Sequence, residues 1–325
     1  MKIKEKAKVK LIYNPHAGEK RRLLPNQLVF SLEDIKDLFQ KYQMPVDCFP
    51  SKSSEHAIEL AKMSQKEGYQ IVVAAGGDGT VATIAHGLIN SDVALAVLPM
   101  GSVMNIARML AIPTNMELAV ALIKIGKKRK IDVGQVIRLQ GEKVQEPSYF
   151  IEQAGVGLDA DYHYYLTSLL EGGKIINIFH LLKLILPLFG PRIQVEIDGK
   201  VVEKKARMVL VSNGPYSGYG LKYAPNSKLN DHKLTVSIFT LNKFGMAKYL
   251  FNLFLRRKAL TSQIKIIAAQ NVKINSRDEK LIHADARIFG TTPAEFKIMP
   301  NCLNVITGFP IEGESSLEKR TYLDL

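Results

Sequence analysis

Short apolar segments alternate with helix-like segments through the first part of the chain. The apolar segments predict buried strands at Val9–Tyr13, Val46–Phe49, Ile71–Ala75 and Ala94–Leu98. Helical spacing of apolar residues predicts helices at Leu32–Tyr42, His56–Lys66, Thr80–Ile89, Met104–Leu110 and Met116–Ile125. This alternation is typical of a parallel sheet with helices on both faces, so residues 1–137 are predicted to form an α/β domain.

The pattern changes past about Ile137. Strict alternation over Ile193–Ile197 leads into Asp198-Gly199, a pair that is typical of a β-hairpin turn. Further strands are predicted at Arg207–Ser212, Leu234–Leu241, Val272–Asn275 and Glu295–Ile298, with helical insertions near Thr167–Leu188 and Lys243–Leu260. The second domain, residues 138–308, is therefore predicted to be mainly antiparallel sheet.

Composition adds a basic charge balance to this picture. The 325 residues, 46% of them hydrophobic, suffice for two domains with substantial cores. Lys and Arg number 44 against 31 for Asp and Glu, giving a formal net charge of +13. That excess favours a negatively charged partner such as nucleic acid, an anionic membrane surface or a phosphorylated ligand, although a generally basic surface gives the same count.

Cysteine content and hydropathy point to a cytoplasmic protein. The two cysteines, Cys48 and Cys302, make neither a disulfide framework nor a metal-ligand cluster. The basic N-terminal residues are not followed by the long apolar run of a secretory signal. The longest apolar stretch, Ile175–Phe189, is interrupted by polar residues and is too short to cross a bilayer, so membrane contact is expected to be peripheral.

The sharpest chemical signal is Gly76-Gly77-Asp78-Gly79-Thr80, which follows a predicted strand and opens a predicted helix. Glycines there leave backbone N–H groups bare at a helix N-terminus, which suits phosphate. Asp78 would repel a polyphosphate unless a divalent cation lay between them, so the loop indicates Mg–nucleotide. The alternative is an ordinary strand-to-helix turn with Asp78 capping the helix. A Walker P-loop is absent from the sequence.

Five motifs in order resemble the diacylglycerol kinase catalytic family, which also includes the sphingosine kinases. They are Asn14-Pro15-His16-Ala17-Gly18, Gly76–Thr80, Leu98-Pro99-Met100-Gly101-Ser102, Gly155-Val156-Gly157-Leu158-Asp159, and the run from Asn213-Gly214-Pro215-Tyr216 to Ala224-Pro225. The resemblance implies a two-domain lipid kinase, with an N-terminal nucleotide domain, a C-terminal β-sandwich, an active site in the cleft between, and a tail, 309–325, that returns to the first domain.

The resemblance also implies the nucleotide and metal ligands. The residues that would bind ATP are Asn14, Pro15, His16, Ala17, Gly18, Ser51, Gly76, Gly77, Asp78, Gly79, Thr80 and Ser102. Asp78 would join the Mg²⁺ and water network at the phosphates and so take part in catalysis. A second, structural Mg²⁺ would be held by the Asp231 carboxylate and the carbonyls of Lys228 and Lys233; the alternative there is a plain β-turn.

By the same resemblance Asp285 is the expected catalytic base. Phosphoryl transfer to an alcohol needs a group that accepts the hydroxyl proton. The family carries D-G-E at this point, whereas this chain reads Asp285-Ala286-Arg287, so the Asp is kept and the Glu is lost. The family also often continues G-T-x-N-D-F-A-R, where this chain has Met104 and Asn105 in place of the Asn and the Asp. These changes bear on acceptor-lipid recognition and on turnover.

The lipid kinase reading implies contact with the inner face of the membrane. Apolar positions with flanking cations over Ile175–Leu188 and Tyr249–Leu260 are candidate docking surfaces, although such helices also cover sheets. Two rivals stay open: an NAD kinase, which also carries G-G-D-G-T, and a homologue that binds lipid or nucleotide without turnover. The expected partners are ATP, a membrane lipid and an anionic surface rather than nucleic acid, and a homodimer is left open.

Overall fold

The structure, a computed structural model, describes most of the chain. The described residues are 7–15, 30–139, 146–161, 163–164, 193–218, 220–242, 244–245, 248–249, 252, 263–285 and 287–308. The predicted insertion at Thr167–Leu188 and the tail at 309–325 lie outside these residues, as does most of the insertion at Lys243–Leu260. The same holds for His16, Ala17 and Gly18.

The regular elements follow in chain order. The helices are α1 Leu32–Lys41, α2 Ser54–Met63, α3 Asp78–Leu88, α4 Asn105–Met109 and α5 Met116–Ile125. The strands are β1 Val9–Tyr13, β2 Val46–Pro50, β3 Ile71–Gly76, β4 Ala94–Pro99, β5 Lys127–Arg138, β6 Ser148–Phe150, β7 Gln153–Gly157, β8 Ile193–Ile197, β9 Lys200–Ala206, β10 Met208–Ser212, β11 Tyr216–Ser217, β12 Leu221–Lys222, β13 Leu234–Phe239, β14 Ile264–Ala269, β15 Asn271–Ser276, β16 Leu281–Ala284, β17 Arg287–Thr291 and β18 Ala294–Thr307.

The chain divides into two compact units. The first unit comprises Met1–Val133, Gly214–Asp231 and Met299–Leu325, and the second comprises Gly134–Asn213 and His232–Ile298. This division differs from the predicted one, which placed the boundary at 137 and gave all of 138–308 to the second domain. The segment 214–231 and the end of β18 belong to the first unit instead.

Specific contacts inside the first unit explain that difference. The Asp132 N–H donates to the Leu229 carbonyl at 2.6 Å, which ties the segment 214–231 to β5. At the end of β18, Val305 lies opposite Leu95 of β4 in a parallel pair, so the last strand extends the first unit's sheet. Neither pairing is encoded by local periodicity, and both join residues far apart in sequence.

The first unit contains the predicted parallel sheet. Its strands run β2-β1-β3-β4, with β1 parallel to both β2 and β3, and β3 parallel to β4. All residues of β3 and β4 are buried, which explains why these strands are continuous apolar runs without alternation. The nine predicted elements of this region are confirmed, with ends shifted by a few residues.

Side-chain caps set some of those helix ends. Ser31 and Asp34 form a reciprocal capping box at the start of α1, in which the Asp34 N–H donates to the Ser31 hydroxyl and the Asp34 carboxylate accepts the Ser31 N–H. Ser53 accepts the His56 N–H, so α2 begins at Ser54, two residues before the predicted start. α3 begins at Asp78 with Gly77 as its N-cap and no side-chain cap.

The second unit is a mainly antiparallel sandwich, as predicted. One sheet runs β14-β13-β10-β7-β16-β17, and β18, β15, β8 and β9 pair in that order in the other. The shared core takes Val209, Val211, Val236 and Ile238 from the first sheet and Val195, Ile274 and Phe296 from the second. The hairpin at Asp198-Gly199 is confirmed, with both residues at positive φ (47° and 82°).

Sequence reasoning missed several strands of this unit. β5 begins with four basic residues, and β14 and β17 carry exposed residues without clean alternation, so none of the three gives a strong strand pattern. β18 is much longer than the predicted Glu295–Ile298 because its second half enters the other unit. Strand pairing over long sequence separation therefore decided these elements.

Gly134→Ala tests the pairing of β5 with β6. Gly134 lies opposite Phe150, and a Cβ at this position would overlap the fully buried Phe150 ring. We expect the substitution to lower the free energy of unfolding by about 1–3 kcal/mol through overpacking. Urea unfolding monitored by circular dichroism measures it.

Gly134→Ala/Phe150→Leu is the matched control. A smaller side chain at Phe150 leaves room for the new methyl group, so the double variant should lose less stability than the two single variants summed. An unchanged unfolding midpoint for Gly134→Ala alone would contradict this packing.

Candidate active site

The glycine loop lies at the carboxyl edge of the first unit's sheet. Gly76 ends β3 and Gly77 caps α3, so the residues Gly76–Thr80 join a buried strand to a helix as predicted. The Met100 N–H donates to the Gly76 carbonyl at 3.1 Å, which places the loop after β4 beside the loop after β3. Ligands of open parallel sheets bind at this edge.

Two of the glycines are required because these loops pack backbone against backbone. A Cβ added to Gly101 would lie 2.6 Å from the Gly77 Cα, and one added to Gly77 would lie 3.3 Å from the Gly101 Cα. Any larger residue at Gly101 would push the loops apart. The close approach explains why two separate glycine motifs occur together in the sequence.

Asp78 joins the two loops through its carboxylate. Oδ1 accepts the Ile106 N–H at 2.9 Å, and Oδ2 accepts the Asn105 N–H at 3.0 Å. Asp78 therefore caps α4 and not the helix that it opens, so the alternative reading of Asp78 as the cap of its own helix is wrong. Burial raises the pKa of Asp78, and the backbone N–H groups and Arg108 oppose that rise.

The Asp78 carboxylate fits a role beside Mg²⁺. Each oxygen accepts one N–H and keeps capacity for another interaction, since an ionised carboxylate offers about four acceptor sites. Two hydrogen bonds fix the orientation of the side chain at the edge where phosphate would bind. Carboxylate oxygen is the ligand atom that Mg²⁺ prefers. The fit is one of chemistry and position.

Met104 occupies a strained position between the loop and α4. Its φ is 59°, in the left-handed region, and its sulfur accepts the Gly101 N–H at 2.9 Å. Asn tolerates this backbone region better than Met does, which gives a physical reason for the Asn that the resembled family often has here. The departure therefore costs backbone strain but preserves the contact with the glycine loop.

Parts of the predicted nucleotide site come together at the same edge. Asn14 and Pro15 follow β1, and Ser51 follows β2; the Ser51 N–H and hydroxyl donate to the Tyr13 carbonyl at 2.8 and 3.1 Å. Ser102 is exposed on the loop after β4. Because β1, β2, β3 and β4 are parallel, their following loops share one edge of the sheet.

The segment 214–231 adds a contact that sequence reasoning missed. The Asn105 side-chain amide donates to the Gly218 carbonyl at 3.0 Å, and Arg108 lies 5.1 Å from the centroid of the Tyr216 ring. These contacts join the motif around Tyr216 to α4. The motif around Tyr216 could be recognised in the sequence, but its contact with α4 could not be predicted from it.

The candidate structural metal site lies in a turn. His232, between Asp231 and Lys233 in the sequence, has a φ of 59°. A turn is the alternative that the sequence left open. The proposed donors, one carboxylate and two carbonyls, are all oxygen atoms and suit Mg²⁺. Mg²⁺ binding by Lys228, Asp231 and Lys233 stays a prediction.

Asp285 holds a distinctive position in the second unit. It has a φ of 49°, and its carboxylate accepts N–H groups from Ile151 (2.9 Å, Oδ2), Glu152 (2.9 Å, Oδ1) and Gln153 (3.2 Å, Oδ1). Burial raises the pKa of Asp285 to about 6, although these N–H groups oppose the rise. Oδ1 accepts two hydrogen bonds and Oδ2 accepts one, so Oδ2 keeps capacity to accept a proton.

A buried pair near Asp285 escaped sequence reasoning. His283 of β16 contacts both the Asp285 carbonyl and the Asp159 carboxylate. Asp159 belongs to the predicted glycine motif, but its partner lies 124 positions later in the chain. The motif Gly155–Asp159 gave a signal for Asp159, whereas nothing local marked His283.

The docking surfaces predicted for lipid fall largely outside the described residues. Ile175–Leu188 is outside entirely, and Tyr249–Leu260 is represented by Tyr249 and Asn252. Tyr249 is buried and packs edge-on against Phe239 at 5.2 Å, so this residue covers the sheet. Among the helices of the described residues, none has the length and apolar character needed to span a membrane.

Met104→Gly and Met104→Ala together test the strain at this position. Both remove the side chain, but only Gly adopts a positive φ without cost, so we expect Met104→Gly to be more stable than Met104→Ala by about 1 kcal/mol. Leu122, inside α5, is the control, where the order should reverse because Gly disfavours a helix interior. Equal stabilities of Met104→Gly and Met104→Ala would show that the backbone is unstrained.

Comparison with known proteins gives the family. Residues 8–136 match the diacylglycerol kinase catalytic domain, and residues 179–307 match the YegS C-terminal NAD kinase beta sandwich-like domain. A diacylglycerol kinase of Bacillus subtilis is 27% identical over 307 residues, covering 92% of this chain and 96% of that protein. A diacylglycerol kinase of Staphylococcus carnosus is 24% identical over 309 residues, covering 92% and 95%.

Solved structures show the same fold. The crystal structure of a diacylglycerol kinase from Bacillus anthracis superposes with a TM-score of 0.69 at 21% identity, covering 95% of this chain and all of that one. Yeast NADH kinase in complex with NADH is a more distant neighbour, with a TM-score of 0.51 and 11% identity. The two family matches lie in order and together span most of the sequence, so residues 8–136 are identified as a diacylglycerol kinase catalytic domain and residues 179–307 as a YegS C-terminal NAD kinase beta sandwich-like domain.

Proposed function

We propose that this protein is an ATP-dependent lipid kinase that converts diacylglycerol to phosphatidic acid. The observation that carries the proposal is the paired-loop edge of the first unit, where Gly77 packs on Gly101 and Asp78 bonds both N–H groups at the start of α4. Bare backbone at a helix start supports phosphate binding, and the half-buried carboxylate supports a cation beside it. The names of the relatives supply the lipid.

The reaction assigns one role to each unit. The first unit binds ATP through Asn14–Gly18, Ser51, Gly76–Thr80 and Ser102. The lipid hydroxyl oxygen forms a bond to the γ-phosphorus, the bond from that phosphorus to the β–γ bridging oxygen breaks, and ADP leaves with the electron pair. Mg²⁺ held beside Asp78 would neutralise phosphate charge.

In this reaction Asp285 is the general base that accepts the proton of the lipid hydroxyl. Its Oδ2 has acceptor capacity left, and a pKa of about 6 keeps most of the group ionised at neutral pH, close to the optimum for a general base. The residue at the family's Glu position is Arg287, so Asp285 would accept the proton without that second carboxylate.

Two rival functions have their own supporting observations. The fold likeness to yeast NADH kinase supports an enzyme that phosphorylates a soluble dinucleotide. Arg287 in place of the family's Glu supports a homologue that binds lipid or nucleotide without turnover. The dinucleotide kinase predicts a different product and the inactive homologue predicts none, so one assay separates both from the proposed reaction.

A lipid panel tests the proposed reaction. The purified full chain is incubated with γ-labelled ATP, Mg²⁺ and phosphatidylcholine vesicles that contain diacylglycerol, ceramide, sphingosine, undecaprenol or phosphatidylglycerol, and in parallel with NAD. We expect label in phosphatidic acid. Label in NADP would support the dinucleotide kinase, and ATP binding without transfer would support the inactive homologue.

Asp285→Asn is the variant for this assay. We expect labelled product to fall by about 10²–10⁴-fold, the usual contribution of a general base, while ATP affinity stays within a factor of about three. Calorimetric titration of ATP measures the affinity. A collapse of ATP affinity would show that Asp285 is not simply the base.

Asp78→Asn probes the nucleotide edge. An amide has a single acceptor oxygen, so one N–H at the start of α4 loses its partner, and we expect the free energy of unfolding to fall by about 1–3 kcal/mol. Transfer should be abolished, and Mg²⁺ should no longer increase ATP affinity, because the amide is a poor magnesium ligand. Titrations with and without Mg²⁺ separate the two effects.

Asp92→Asn is the matched control for Asp78→Asn. Asp92 is an exposed carboxylate of the same unit, beyond the end of α3, and its substitution should alter neither measurement. Turnover at the wild-type rate in Asp78→Asn would reject the role assigned to Asp78.

A further inference from the structure

His283 is a buried histidine whose surroundings are built for it. It lies on β16 opposite Gly155 of β7, and its side chain is almost fully buried. A Cβ on Gly155 would overlap both the His283 ring and the Asp159 carboxylate. Because Gly155 has no side chain, there is space for the His283 imidazole and the Asp159 carboxylate to contact each other.

The two contacts of the ring fix its protonation state. Nδ1 lies 3.0 Å from the Asp285 carbonyl oxygen, and Nε2 lies 2.5 Å from Asp159 Oδ2. A carbonyl can only accept, so Nδ1 carries a proton. A carboxylate oxygen facing Nε2 requires a second proton between those two atoms. The pair therefore holds one proton more than a neutral imidazole beside an ionised carboxylate.

Two carboxylates near the ring favour a positive charge there. Burial alone would lower the pKa of His283, but Asp159, by charge and hydrogen bond, and Asp285 raise it overall. His163 stacks on the ring at 5.0 Å between centroids. Further groups near the pair are Gln153, which donates to Asp159 at 3.4 Å, and Tyr249, whose pKa the Asp159 charge helps to raise.

The geometry also joins His283 to the Asp285 carboxylate. Asp285 is two residues along the chain, and its backbone is fixed at both ends: its N–H donates to the Gln153 carbonyl at 2.9 Å, and its carbonyl accepts from His283. The imidazolium favours the ionised form of the Asp285 carboxylate, which burial disfavours. One side chain thus acts on both the position and the charge of Asp285.

We propose that His283, kept as an imidazolium by Asp159, is a positioning residue that holds Asp285 in place and keeps its carboxylate ionised for proton acceptance. This inference rests on the proposed function. It explains how a chain with Arg287 in place of the family's Glu would retain a working base, because the imidazolium lowers the pKa of Asp285 against the effect of burial. Asp159 and His283 contact neither ATP nor lipid in this proposal.

Asp159→Asn is the sharpest test because it keeps the shape and removes the charge. The asparagine amide can donate to Nε2, so His283 becomes a neutral imidazole with its proton on Nδ1. Long-range proton–nitrogen NMR spectra at pH 7 should show both nitrogens of His283 protonated in the wild-type chain and only Nδ1 protonated in Asp159→Asn. A neutral His283 in the wild-type chain would overturn the proposal, whether or not the protein proves to be a kinase.

The pH profile of turnover is the second readout. Loss of the imidazolium should raise the pKa of Asp285, and a rise of about one to two units lowers the ionised fraction at pH 7 by about two- to tenfold. We expect kcat of Asp159→Asn to fall by that factor at pH 7 and to recover toward pH 9, with KM for ATP unchanged. Wild-type and variant profiles that superimpose would overturn the positioning role.

Stability against pH gives a readout that needs no activity. A histidine whose folded pKa is raised above its ordinary value of 6.5 contributes stability below that pH and loses it as pH rises through the folded pKa. The stability difference between the wild-type chain and Asp159→Asn should therefore be largest below pH 6.5 and shrink at higher pH. A difference that is constant with pH would contradict the ion pair.

Asp278→Asn is the control for all three measurements. Asp278 is an exposed carboxylate of the same unit, in the turn after β15. It should leave the His283 spectrum, the pH profile and the stability difference unchanged. Kinase inactivity of the wild-type chain combined with a doubly protonated His283 would count against the proposed function and leave the ion pair standing.

Discussion

The contact between Gly77 and Gly101, fixed by the Asp78 carboxylate, is the constraint on which the first unit's site depends. The two loops follow neighbouring parallel strands and touch through bare backbone. Asp78 then accepts the N–H groups of the first two residues of α4, the helix that follows the second loop. Without that carboxylate, α4 would begin with unpaired donors and the loops would lose their link.

The second unit uses the same device at a different place. The Asp285 carboxylate accepts three consecutive N–H groups of residues 151–153, as Asp78 accepts two at α4. A buried carboxylate with several N–H partners is both an anchor and a charge, since each N–H favours its ionised form. In both units the residue assigned to chemistry is therefore also a residue that holds a loop, and substitution affects both properties.

The departures from the family pattern have local physical readings. Met104 has a thioether where the family often has an amide. Its backbone is strained in the left-handed region, and its sulfur still accepts a hydrogen bond from the Gly101 N–H. Arg287 replaces a carboxylate close to Asp285, and His283, paired with Asp159, opposes the rise that burial causes in the pKa of Asp285. The close approach of Gly77 and Gly101 is present in this chain together with both changes.

The sequence by itself determined the helices and strands of the first unit and the glycine turn. The repeat of about 3.6 or 2 residues located the helices and strands of the first unit, and Gly76–Thr80 marked a strand-to-helix turn, because these patterns depend on neighbours in the chain. Tertiary structure decided which groups meet. Asp78 caps a helix 27 residues later, His283 finds Asp159 across 124 residues, and the segment 214–231 joins the first unit. Such partners are chosen by packing over long sequence separation, which no local periodicity records.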